Sequence, residues 1–328
     1  MVLTVLVLLL VAGIVMSATQ GQLTVSSADV VGTILHGVGI DTSWRPDREV
    51  TEQALWQIRF PRVVMALLVG AALAVGGAIL QAVFGNPLAE PGVVGVSSGA
   101  ALGAAIGIAT GFTFAGGWGI AGLAFIGGLV ATIFVYATAR SAGRTEVVTL
   151  LLTGIAVNAF AGAGLAFVMF AGDTAAREQI VFWQLGSMNG SRWPEVLVVA
   201  VVTLLASAVA LVLARQYDLL ALGERAAGHL GVRVEALRIG SIVLVALLTG
   251  VAVAFAGIIA FVGLVVPHLV RLSLGPAHRG LLLTWADLGA RTLVDGADLP
   301  IGMLTALVGG PFFFWLVRRT RGRSGGWA

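Results

Sequence analysis

The feature that most restricts the fold is a succession of apolar runs, each near the roughly 20 residues that a helix needs to cross a hydrocarbon core of about 30 Å. They fall at 1–19, 61–84, 93–110, 113–138, 147–171, 194–214, 239–257, 258–274 and 299–317. No water in that core can satisfy backbone N–H and C=O groups, so each run must close its hydrogen bonds within itself as helix. The charge content points the same way. Only 11% of residues are charged and 58% are hydrophobic, whereas a soluble domain carries about 25% charge. The sequence predicts an all-α, polytopic transmembrane bundle of about ten helices, with residues 1–328 forming one membrane domain. Disorder and a nucleic-acid-binding domain are excluded by composition, and a disulfide scaffold by the absence of cysteine. Residues 1–19 lack a basic leader and a small-x-small cleavage site, so they read as a retained helix.

All 19 basic residues are arginine. A Walker A loop needs a lysine on the β/γ-phosphates, so this chain holds no ordinary nucleotide-hydrolysing site, and Schiff-base chemistry is excluded with it.

The segment 281–294, LLLTWADLGARTLV, is short and polar for a crossing. Counting it as a tilted or re-entrant crossing puts both termini on one side. That side then holds twelve arginines and five acids, and the other holds seven arginines and eleven acids. The positive-inside rule assigns the arginine-rich side, with both termini, to the cytoplasm. If the segment does not cross, the RRTRGR tail falls outside, against that rule.

Small residues recur at helical spacing, as in Gly99-x-x-x-Gly103-x-x-x-Gly107 and from Gly122 to Gly127 and Gly128. Such faces let helices approach closely in lipid. Breaks of another kind lie at Gly85-Asn86-Pro87 through Pro91-Gly92 and at Gly263 to Pro267. Proline lacks a donor and pushes its predecessor out of the α region, so the chain must turn there, as it does around transporter sites. Gly95-x-Ser97-x-Gly99 has the form of a nucleophile elbow, which needs a strand before it. An intramembrane serine hydrolase pairing Ser97 with His268 is one alternative reading; Ser97 and Ser98 as small packing residues is the plain one. His36, His229, His268 and His278 form no metal-binding spacing. His268, after Pro267, reads either as a pathway residue or as a histidine satisfied by backbone carbonyls.

The longest arginine-side loop, 215–238, alternates polar residues with Leu219, Leu220, Leu222, Ala226, Leu230 and Val234. It predicts two short amphipathic helices broken at Gly228 and Gly231, docking either to a partner or to lipid headgroups.

Six blocks in order, RFPRVVMALLVGAALAVGGAILQAVFGNPLAEPGVVGVSSGAALGA (59–103), LLTGIAVNAF (151–160), FWQLGSMNGSRW (182–193), LALGERAAGHLGV (220–232), GIIAFVGLVVPHLVRL (257–272) and LPIGMLTALVGGPFFFWL (299–316), resemble the FecCD permease subunits of bacterial ABC importers for ferric siderophores, haem and cobalamin. The resemblance implies a multi-pass subunit of the bacterial inner membrane that pairs with a second permease subunit. It implies no cofactor or metal in this chain, with ATP and Mg used by separate ATPase subunits. Those subunits would meet Leu220, Leu222, Gly223, Glu224, Arg225, Ala226, Gly228, Leu230 and Gly231. An extracytoplasmic substrate-binding protein would dock on Arg59, Arg62 and Arg291. Gln81, Asn86, Pro87, Leu88, Pro267 and His268 would lie along the pathway or its gate. The family pattern also has a full apolar helix before Leu299-Pro300; here Ala286-Asp287-Leu288-Gly289-Ala290-Arg291 is kept but most of the apolar run before it is missing, so the ninth helix is shortened. An importer of iron chelates driven by a partner ATPase is the leading reading, and an ATP-independent secondary transporter is a further alternative.

Overall fold

The computed structural model describes residues 2–19, 25–112, 117–141, 144–267 and 301–321. The predicted crossing at 281–294, with Arg291 and His268, lies outside them.

These segments are predominantly helical. Helix α1 (Val2–Thr19) is followed by two short helices, α2 (Ser27–Gly37) and α3 (Glu49–Ala54). A π turn at Leu55–Arg59 carries α3 into α4 (Phe60–Phe84). A 3-10 turn at Pro91–Val94 precedes α5 (Val96–Ala109), and α6 spans Trp118–Ala139. Strand β1 (Arg140–Ser141) pairs antiparallel with β2 (Arg144–Thr145). Then come α7 (Val147–Ala171), α8 (Thr174–Leu185), α9 (Trp193–Leu220), α10 (Glu224–His229) and α11 (Val234–Ala256). Residues 262–267 are helical, and α12 spans Ile301–Arg321. Five of these helices are long and apolar enough to cross a membrane.

Helix α4 is the central post. It is buried along nearly its whole length and packs against α9 and α11. Its neighbour pair, α5 and α6, meets through the glycines that the spacing singled out. A Cβ on Gly99 would land on the carbonyl of Gly127, and one on Gly103 on the carbonyl of Leu123. Gly122 differs, because nothing lies near it; the small-residue face runs through Gly127 and Gly128 and leaves Gly122 outside the contact.

The outer faces of the bundle are apolar. Phe160 and Phe170 on α7 are 78% and 82% exposed, and Val212 on α9 is 80% exposed. A soluble monomer rarely tolerates so large an apolar patch; lipid tails or another membrane subunit can cover it.

Several boundaries differ from those predicted. Helix α5 starts after the 3-10 turn and has 14 residues, about 21 Å at 1.5 Å per residue, so it is shorter than the run at 93–110. Helix α9 continues through Arg215 and Asp218 to Leu220, and α11 starts at Val234. The loop between them is accordingly shorter than 215–238, and it holds one helix, not two. Helices α2 and α8 lie outside the predicted spans. Each is short and carries a side-chain N-cap: Ser26 with a reciprocal Asp29 for α2, and Asp173 for α8.

Candidate functional site

Helix α10 stands at the end of the bundle between α9 and α11. It starts after Gly223 and stops through a glycine cap. The N–H of Gly231 donates to the carbonyl of Gly228, and that of Val232 donates to Ala227. This double bond pattern needs a left-handed residue at Gly231, whose φ is +86°. Gly228, predicted to break the helix, lies inside it. Ala227 is fully buried and seats α10 on the core. Leu222 and Leu230 point away, 66% and 58% exposed, beside exposed Gly223, Glu224, Arg225 and Gly228. Leu220 is buried and Ala226 half-buried. The arrangement offers two leucines and a pair of charges on a small, rigid knob.

Beneath the knob lies a polar cluster that the sequence did not disclose. Arg238, in the first turns of α11, is 3% exposed. Its guanidinium bonds Glu224 Oε1 at 2.6 Å and the carbonyl of Thr145 at 3.1 Å, and lies 3.5 Å from Glu235 Oε2. Glu235 in turn accepts from Thr145 Oγ1 at 2.6 Å, from the Thr145 N–H at 3.3 Å and from Tyr136 OH at 3.1 Å. The sequence signal was only an i, i+3 acid and base pair at Glu235 and Arg238.

The end of α4 and the turn after it pack against the segment that follows α11. Gly85 ends α4 in the left-handed region, and Asn86 Oδ1 accepts from the N–H of Leu88 at 2.9 Å, shaping the Asn86-Pro87-Leu88 turn. Gln81 is 2% exposed and donates to the carbonyl of Gly263 at 3.3 Å; its Oε1 is buried without a protein partner. A Cβ on Gly77 would strike the carbonyl of Gly263, so the two backbones touch. Glu90, after the turn, accepts from the N–H of Phe261 at 3.0 Å. Pro267 is buried in the helical segment 262–267. The structure thus joins Gln81 with Gly263 and Glu90 with Phe261; the break predicted at Gly263 to Pro267 lies earlier, at 257–261, because Gly263 and Pro267 sit inside the helical segment 262–267.

The opposite end of α4 carries Arg59 and Arg62. Arg59 is 9% exposed and donates to the carbonyls of Ala18 at 2.6 Å and Thr19 at 2.9 Å. A cation at the end of α1 satisfies carbonyls that the helix leaves open, so Arg59 holds α1 in place. Arg62 is half-buried. Nearby, Trp193 Nε1 donates to the carbonyl of Trp56 at 2.7 Å, and the two indoles lie 6.3 Å apart, a pairing suited to a membrane interface.

Ser97 lies in the first turn of α5, preceded by the 3-10 turn and not by the strand that a nucleophile elbow requires. Its neighbour Ser98 donates to Asn158 Oδ1 at 2.6 Å, joining α5 to α7. Among the described residues no group of three His, Asp or Glu could hold a metal.

Five helices long and apolar enough to cross a membrane, packed around α4, define a multi-pass membrane protein. The chain belongs to the FecCD transport family, whose sequence profile matches residues 8–319. It is 40% identical over 293 residues to a hemin transport system permease of Yersinia pestis, covering 84% of this chain and 87% of that one. It is 41% identical over 278 residues to a cobalamin import system permease of Halobacterium salinarum, covering 82% and 74%. Its fold is similar to a solved structure described as an inward-facing conformation of a metal-chelate type ABC transporter, with a TM-score of 0.80, 33% identity, and 97% and 99% of the two chains covered.

Proposed function

We propose that this chain is the permease subunit of an ATP-binding-cassette importer that moves an iron chelate, ferric siderophore or haem, or a cobalamin-type chelate into the bacterial cytoplasm. The observation that carries this reading is α10, a capped helix with Leu222 and Leu230 bared in a family member that has no lysine for a Walker loop of its own. A partner ATPase seats on residues 220–231, within the loop region 215–238. ATP binding brings two such ATPases together and pushes α10, switching the pathway between outward and inward access. A second permease subunit covers part of the exposed apolar surface, and both termini lie in the cytoplasm.

On the outer face an extracytoplasmic binding protein meets Arg62, with Arg291 contributing from outside the described residues. Arginine pairs with carboxylates in a two-pronged geometry and steers an acidic partner. Arg59 serves that face indirectly, by anchoring α1. Gln81, the Asn86 to Leu88 turn, Pro267 and His268 belong to the pathway and its gate.

The reading is tested in vesicles that contain the chain, its ATPase and its binding protein, offered haemin, cyanocobalamin or a ferric siderophore. ATP-dependent accumulation of one of them is expected. ATP hydrolysis without uptake of any chelate would refute it, and uptake that follows an ion gradient without ATP would favour a secondary transporter.

A further inference from the structure

We infer that Arg238 is a positioning residue that locks α10 to the β1–β2 pair, so that the knob and the turn between α6 and α7 move as one body. The guanidinium reaches one partner on each element: Glu224 at the start of α10 and the carbonyl of Thr145 on β2. Thr145 is itself held from below by Glu235 through both its hydroxyl and its N–H. Tyr136, three residues from the end of α6, donates to the same carboxylate, so the last turn of α6 joins the assembly.

Burial gives the arrangement its stiffness. Arg238 is 3% and Thr145 5% exposed, and hydrogen bonds there are strengthened by the low local dielectric. Arg238 Nε is buried without a partner, so the guanidinium is held by its two terminal nitrogens, each assigned to a different element. A side chain used only to neutralise Glu224 could stay at the surface, where the Glu224 side chain is 63% exposed. Desolvating an arginine in this position is costly, and what the cost supports here is a link between two elements that are distant in sequence. A lysine, with a single point charge, could not span both partners in this fixed fork.

The direction of force rests on the reading of residues 220–231 as the ATPase contact; the lock itself does not. The chain has no cysteine, so spin labels can be placed directly. Labels at Arg140→Cys on β1 and His229→Cys on α10, both exposed positions, report the distance between the two elements in nanodiscs that contain no ATPase. One narrow distance distribution is expected with Arg238 present, and a broad one in Arg238→Met. Because Arg238→Met alters a buried site, Glu224→Ala provides a second variant that changes an exposed side chain, and it should broaden the distribution too. Narrow distributions in both variants would overturn the lock. In vesicles that hold the chain with its ATPase and its binding protein, haemin moved per ATP should fall about fivefold in Arg238→Met, the low end of usual coupling between sites. An unchanged ratio alongside a broadened distribution would leave the lock standing and overturn its place in the drive.

Discussion

The carboxylate of Glu90 accepts the backbone N–H of Phe261 at 3.0 Å, and Phe261 is the one non-glycine residue with positive φ, +66°, among those described. A bulky side chain in the left-handed region costs about 1–2 kcal/mol and persists only where its surroundings hold it. Here Glu90 holds the N–H, and Gly309 of α12 leaves room for the Phe261 side chain, since a Cβ there would strike it. The turn after α4 and the break after α11 are therefore one unit.

Replacing Glu90 with Ala leaves the N–H of Phe261 unpaired in a packed setting. The expected loss is about 1–3 kcal/mol, read as a lower unfolding midpoint in detergent. Glu90→Gln keeps an acceptor and should lose less. Equal midpoints for Glu90→Ala and the parent would show that the bond does not stabilise the break.

The α5 and α6 contact makes opposite predictions for two glycines. Gly103→Val puts a side chain into the carbonyl of Leu123 and should cost at least about 1–3 kcal/mol by overpacking. Gly122→Val meets nothing and should express and melt like the parent. Equal damage from both would contradict the packing described.

Arg62→Glu should weaken association with the binding protein and reduce its salt dependence, because exposed charge pairs are screened over a Debye length of about 8–10 Å. Surface plasmon resonance across a salt series reads both effects. Unchanged affinity and slope would remove Arg62 from that interface.

The spans were legible because bilayer thickness dictates long apolar runs, and the glycine faces because only small residues let helix backbones touch; that α5 and α6 are each other's partners was not. The knob was legible as a polar and apolar alternation ending at Gly231, though Gly228 misled, since a single glycine is tolerated inside a helix. Helices α2 and α8 were missed because they are short, 11 and 12 residues, and less apolar than the spans; the Ser26 to Asp29 and Asp173 caps were the readable signal. Arg59 and Arg238 were opaque for a common reason. Each is an ordinary surface-type residue by sequence, buried because carbonyls or carboxylates from distant elements converge on it. No local pattern carries that information.

The central claim is that a separate ATPase drives this permease through α10. It is tested by ATP-dependent haemin uptake into vesicles holding the chain, its ATPase and its binding protein, with Leu222→Asp and Leu230→Asp introduced together. Each leucine lost from a buried contact is worth about 1.5–3 kcal/mol, so uptake should fall more than about tenfold while the purified permease melts as before. Undiminished uptake in the double variant, or uptake that continues when the ATPase is left out, would contradict the account.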